Sequence, residues 1–290
     1  MSELRGRVVP VLAVLAGTVL LWYAGAVALN AQGAIERVLA PGGAYSTHDL
    51  IAATWAMERP VLPAPHQVAV DLWTSLIDWP LDSPRNLLYH AAVTAQSTLV
   101  GFVLGTLLGV VLAAAIVHSR TLDRALLPWI VASQTVPVLA IAPIVLVILG
   151  SLGFSGIAPK ATIAMYLCFF PVTVAMVQGL RSPQRIDTEL MHTYAATRMQ
   201  AFWMLRMPAA LPFLFPSLRV AIAAGLVGAM VAELPTGAQA GLGAKLLTGS
   251  YYGNTVGIWS ALVMSALLGL ALTATVAATQ RLVLGPRRFG

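Results

Sequence analysis

The chain has 290 residues, 58% hydrophobic and 10% charged, with a formal net charge of +6. Soluble domains carry about 25% charged residues, so this composition excludes a water-covered globule and indicates a chain built for lipid. The basic residues stand between apolar runs, which excludes a nucleic-acid-binding patch and makes them orientation signals.

Six stretches reach the roughly 20 apolar residues that a spanning helix needs. They are residues 8–29, 91–117, 127–149, 161–180, 213–233 and 256–282. The expectation is an all-α membrane protein of about six transmembrane helices. Arg5 and Arg7 precede the first stretch, and Arg120 and Arg124 separate the second from the third. Arg181, Arg185, Arg198 and Arg206 separate the fourth from the fifth, and Arg281, Arg287 and Arg288 end the chain. The opposite side carries Arg37, Arg59, Arg85, Lys160 and Lys245. The excess of arginine marks the cytoplasmic side, which puts both termini there.

Residues 1–30 form the first segment, an N-terminal transmembrane helix. Its basic start and Ala26-Val27-Ala28 resemble a signal peptide, but its apolar run exceeds the 7–15 residues of such a signal. Residues 31–89 form an extracytoplasmic segment with two short interfacial helices. The first begins after Ser46 or Thr47 and the second follows Pro63-Ala64-Pro65. Trp55, Trp73 and Trp79 suit an interfacial aromatic belt.

Residues 90–284 form the core. In the second span Gly101, Gly105, Gly109 and Ala113 recur every four residues and leave one helix face nearly bare for close packing. The third span holds Ser133-Gln134-Thr135-Val136-Pro137. A glutamine there faces protein or water, and the freed carbonyls require a polar neighbour. Gln134, Thr135 and Gln178 are candidates for lining a translocation path, with interhelical hydrogen bonding the equal alternative. Cys168 lies within the fourth span, which excludes disulfides and cysteine-ligated metal.

Between the fourth and fifth spans, residues 181–212 form a polar island, expected on the cytoplasmic side. Pro183 precedes a run of helix formers, and Ala195-Ala196-Thr197 makes a small-residue turn. Arg198 to Met207 is expected as a second helix that ends before Pro208 and Pro212. Glu233, near the far face, is the one carboxylate of the spans. It is expected inside the bundle, at an outer gate or holding the 237–249 segment. That segment, with Gly241, Gly243, Gly249 and Tyr251-Tyr252, is expected as a tight, partly re-entrant connector.

The island resembles the cytoplasmic coupling loop of ABC-importer permeases. Glu189 takes the position of that loop's glutamate, Ala195 that of its glycine, and Leu205-Arg206-Met207-Pro208 its apolar-x-Leu-Pro close. The likeness continues through Ser217-Leu218-Arg219-Val220-Ala221, Val231-Ala232-Glu233 and Gly241-Leu242-Gly243, in the manner of the nitrate/sulfonate/taurine branch. His90 followed by Thr94 also resembles a family position. Leu190-Met191 depart from the family's Ala-Ala. Ala195 departs from its glycine and, lacking easy access to positive φ, is expected to leave the turn more helical.

The resemblance implies a type I ABC-importer permease fold in the bacterial inner membrane. It implies a second permease subunit, two cytoplasmic ATPase subunits, an extracytoplasmic solute-binding protein, and no nucleic acid. It assigns Glu189, Thr193, Ala195, Ala196, Thr197, Arg198 and Pro208 to the ATPase coupling. No cofactor or metal is expected on this chain. ATP and magnesium belong to the ATPase, because this sequence has no phosphate loop ending in Gly-Lys-Ser/Thr. No catalytic constellation is present either, so the chain is not expected to be an enzyme. The implied cargo is a small polar solute, either of the sulfonate/taurine/nitrate type or a thiamine-precursor or other pyrimidine. Neutral Gln and Thr, with no intramembrane arginine away from the cytoplasmic side, lean weakly away from a strongly bound inorganic anion. The rival is an ion-coupled secondary transporter, which needs intramembrane carboxylates beyond Glu233.

Overall fold

The computed structural model describes residues 2–37, 45–235 and 240–285, and side chains from Val9 onward. All regular structure among these residues is helical. Five helices are long and apolar enough to cross a membrane, and one broken pair raises the number to six. Arg287, Arg288 and residues 236–239 lie outside the described residues.

The chain divides into two compact units. The first comprises Met1–Tyr89 and Lys245–Met264. It contains α1 (Ser2–Arg37), α2 (Thr47–Trp55) and α3 (Pro65–Ile77). Ser46 caps α2 in a reciprocal box with Asp49, and Pro65 opens α3, where the missing amide costs nothing. The segment before α3 is tied to α1 by Asn30, only 1% exposed. Its Nδ2 donates to Leu62 O at 2.8 Å, and its Oδ1 accepts from Val61 N at 2.7 Å. Trp22 Nε1 donates to Pro63 O at 3.0 Å, and its ring packs 4.9 Å from that of Trp259.

The second unit comprises His90–Ala244 and Ser265–Gly290. α4 (Leu87–His118) enters it from the first unit. α7 (Ile157–Leu180) is its most enclosed helix. On one side of α7 lies the glycine stripe of α4. A Cβ at Gly105 would stand 2.8 Å from Met165 O, and one at Gly109 2.9 Å from Phe169 O. On another side runs α10 (Met207–Glu233), antiparallel to α7. Gly228 lies against Ala164, Gly225 against Cys168, and Gly179 against Ala210. Lipid is as apolar as leucine, so this close backbone approach replaces hydrophobic burial as the force that joins the helices. The α4 glycines therefore pack and do not line a pore.

The structure corrects three expectations. The third span is broken: α5 (Arg120–Ser133) and α6 (Val138–Ser151) meet at 103°. Pro137 supplies no amide to continue α5, and the residue before a proline is pushed out of the helical region. The fifth span does not start at residue 213. α9 (Arg198–Ala201) continues through a π turn (Phe202–Arg206) directly into α10, and Arg198–Glu233 is one continuous rod. Pro208 falls in the first turn of α10, where it is tolerated, and the widened turn before it absorbs the local mismatch. Third, residues 242–252 form a helix, α11 (Leu242–Tyr252), where a tight connector was expected. The last helix, α12, is Thr255–Leu284.

Candidate functional site

Two clusters, one at each end of the α7–α10 pair, hold the residues that the sequence singles out. The first is built on α8 (Arg185–Thr193), a short helix with no buried residue. Gln184 and Asp187 close its N-terminus. Arg185 Nε donates to Glu189 Oε1 at 2.8 Å across one turn, and Thr193 Oγ1 donates to the Glu189 carbonyl at 3.1 Å. The helix stops at Ala195, whose φ is +52°. Ala195 N donates to His192 O at 2.9 Å and Ala196 N to Met191 O at 3.0 Å. This is the double hydrogen bond of a Schellman stop, which ordinarily has glycine at its left-handed position. The expectation that alanine makes the turn more helical is therefore overturned: two terminal carbonyls gain donors, and that outweighs the cost of the left-handed backbone. Thr197 then caps α9, accepting from Gln200 N at 3.3 Å.

A groove of about 340 Å³ separates α8 from the end of α4. His118, His192, Arg198 and Arg206 line it, together with Met191 and Phe202. Nearby, the end of α7 is tied to α5 by Arg181, whose Nη2 meets Asp123 Oδ2 at 2.9 Å. Sequence reasoning missed this pair, since 58 residues separate two ordinary charges.

The second cluster surrounds Glu233, which is completely buried. Lys160 Nζ lies 3.4 Å from its Oε1 and donates to Ala240 O at 2.9 Å. Thr94 Oγ1 donates to the carboxylate at 3.0 Å and accepts from Leu242 N at 2.9 Å. Gly243 N donates to Glu233 Oε2 at 2.9 Å. Gly241 N donates to His90 Nδ1 at 3.0 Å, so Nδ1 carries no proton. Gly241, at φ +129°, leaves its Cβ position to the Glu233 carboxylate, a conformation and a closeness that only glycine supplies. One carboxylate thus gathers α4, α7, α10 and the start of α11. The sequence signalled His90, Thr94, Glu233 and the two glycines separately. Lys160 was read only as an outward charge.

The remaining candidates do not join this cluster. Gln134 and Thr135 are exposed at the α5–α6 bend, and Thr135 Oγ1 donates to Ala132 O at 2.7 Å. The Tyr166 hydroxyl donates to Ser133 O beside them. Gln178 is exposed roughly three turns further along α7.

Residues 105–287 match the binding-protein-dependent transport system inner membrane component family. The chain belongs to this family. Among its relatives is the formylaminopyrimidine transport permease protein ThiX of Halalkalibacterium halodurans. It is 31% identical over 231 residues, covering 79% of this chain and 86% of that one. The riboflavin transport system permease protein RibX of Chloroflexus aurantiacus is 32% identical over 223 residues, 77% and 79% of the two chains. The nitrate import permease protein NrtB of Leptolyngbya laminosa is 25% identical over 217 residues, 73% and 75%. The protein is thus a multi-pass inner-membrane permease of the ABC importer type. The matched region includes both clusters except for the α4 residues His90 and Thr94.

Proposed function

We propose that this permease moves a small polar solute inward, driven by ATP hydrolysed on separate cytoplasmic ATPase subunits that dock on α8. The observation that carries the reading is the exposed α8 with its fixed left-handed stop, joined by the short turn of residues 194–197 to the continuous 36-residue rod Arg198–Glu233. A partner that grips α8, Ala195, Ala196, Thr197 and Arg198 holds the end of a membrane-crossing lever. ATP and magnesium act on the ATPase, and a second permease and an extracytoplasmic binding protein complete the assembly. The excess of arginine on the α8 side supports a cytoplasmic position for that side and for both termini. The relatives named for formylaminopyrimidine, riboflavin and nitrate transport support a small polar cargo, with selection shared with the binding protein.

The test is affinity purification of the tagged chain from membranes, with identification of what accompanies it. An ATPase subunit is expected with the parental chain and absent with Ala195→Asp or Glu189→Arg, both of which still insert. Unchanged ATPase recovery and unchanged transport in both variants would sink the assignment of α8 as the docking element.

A further inference from the structure

We infer that His90 is an acid-sensitive latch for the start of α11. While its Nδ1 is unprotonated it holds Gly241 to α4, and a proton taken up there releases the turn and slows solute uptake. The latch stands on the geometry of the Glu233 cluster, and only its effect on uptake rests on the import reading above.

The amides that open a helix have no partner within it. At the start of α11 three in succession receive side-chain acceptors instead. Gly241 N donates to His90 Nδ1 at 3.0 Å, Leu242 N to Thr94 Oγ1 at 2.9 Å, and Gly243 N to Glu233 Oε2 at 2.9 Å. All of these residues belong to the second unit and are buried, His90 being 4% exposed. An acceptor lost here is therefore costly, because the amide it served stays buried.

The three acceptors answer acid differently. A hydroxyl accepts at any pH, and a carboxyl keeps lone pairs for accepting even when it is protonated. Imidazole changes its charge between about pH 5 and pH 8, and its cation has donors on both nitrogens and no acceptor. A proton on Nδ1 thus sets one N–H against another, that of Gly241. Gly241 has no room to turn aside in place: its φ is +129° and its Cβ position is filled by the Glu233 carboxylate.

The charges packed around the latch act in the same direction. Glu233 of α10 is held by Lys160 of α7, which also donates to Ala240 O at 2.9 Å, one residue before Gly241. Lys245, in the first turn of α11, is half-buried, and Tyr89 precedes His90 on α4. A cation on His90 joins that of Lys160 in an enclosed cluster with one carboxylate. Buried charge without a partner is costly, and letting the turn go relieves it. The rod Arg198–Glu233 ends at this cluster, so a freed turn no longer follows the motion of the rod.

The test uses the transporter purified from membranes with the subunits that accompany it, in lipid nanodiscs. Hydrogen–deuterium exchange of residues 240–252 is measured from about pH 8 to about pH 5.5 and corrected for the intrinsic rate at each pH. We expect protection of the 241–243 amides to fall roughly tenfold across that range, as a local opening requires. His90→Asn puts an amide oxygen where Nδ1 stands and takes up no proton, so it is expected to stay protected throughout. Uptake is expected to fall with external acid in the parent and to stay level in His90→Asn. Protection that does not change with pH overturns the inference. The same acid loss in His90→Asn also overturns it, because another group, Glu233 first, is then the one that titrates. Should that variant fail to insert, the imidazole resonance of His90 in histidine-labelled parent decides. It must titrate with the midpoint of the exchange change, and a ring that stays neutral across the range defeats the latch. Lost protection with unaltered uptake removes the effect on transport. A chain purified without an ATPase fails the import reading and leaves the exchange result standing, so the two are told apart.

Discussion

Ala195 holds a left-handed backbone at φ +52°, which costs an ordinary residue about 1–2 kcal/mol. The chain keeps it because the Schellman bonds from Ala195 and Ala196 require that geometry. Ala195→Gly is expected to stabilise the turn by up to about 1 kcal/mol and to leave ATPase recovery at the parental level. A shift in the melting temperature of the purified complex, read together with that recovery, checks both. Ala195→Asp puts a charge on the same turn and leads to the opposite outcome. At the other end, the Glu233 carboxylate and the Lys160 ammonium share a site from which water is excluded. Removing one partner of such a pair costs about 3–5 kcal/mol, because the other charge stays behind. Glu233→Met is therefore expected to abolish a monodisperse complex at temperatures the parent tolerates. Glu233→Gln combined with Lys160→Met keeps an acceptor for Gly243 N and Thr94 Oγ1 while deleting both charges, and is expected to recover most of the loss. Size-exclusion profiles after heating decide it, and a double variant as unstable as the single one would mean that the charges are not the issue.

At the scale of elements, the α4–α7–α10 sandwich is held by glycine positions, and each has a named neighbour. Gly105→Leu would drive a side chain into Met165 and Cys168 and part α4 from α7. Overpacking of this kind costs about 1–3 kcal/mol or more, so the expected result is a chain that inserts but loses its melting transition in detergent. Gly150→Leu, where a Cβ has open space, is the matched control and is expected to melt like the parent. Much of this layer was legible beforehand. A spacing of four between Gly101, Gly105 and Gly109 states a bare helix face, and only the identity of the opposite helix was missing. The cap at Ser46 and the start at Pro65 were legible for the same reason, since the signal and its effect lie within one turn. The 103° break was half legible: Pro137 marks an interruption, but whether a helix kinks or folds back depends on what receives it. Here the Tyr166 hydroxyl on α7 accepts that task, donating to the Ser133 carbonyl at the break.

At the scale of the second unit, the sequence reads as separate parts what the structure joins in one rod. Glu189 was identifiable from its place in the family-like polar loop, and Glu233 as a charge out of place, because a polar residue among apolar ones is a local contrast. Their connection was not identifiable, because it depends on Pro208 being tolerated in a first helical turn and on a π turn no propensity foretells. Lys160 and Thr94 became partners of Glu233 only through the antiparallel register of α7 and α10 and the packing of α4. The resulting rod runs from the exposed α8–α9 turn to the buried carboxylate that holds Gly243 and Leu242 through Thr94. A displacement applied at Arg198 therefore reaches Glu233 only if residues 202–206 stay stiff. Replacing Met204 and Leu205 together by glycine lowers helix propensity by about 1 kcal/mol at each position without touching α8 or Ala195. Both side chains lie outside the buried core, so packing is largely spared. The expected variant still recovers the ATPase and still hydrolyses ATP, while solute uptake in proteoliposomes falls at least tenfold. That pattern separates loss of transmission from loss of docking, the outcome expected for Ala195→Asp. Uptake at the parental rate in the double-glycine variant would mean that the stroke reaches the Glu233 end by another route, with α7 and its Arg181–Asp123 tie the next element to break.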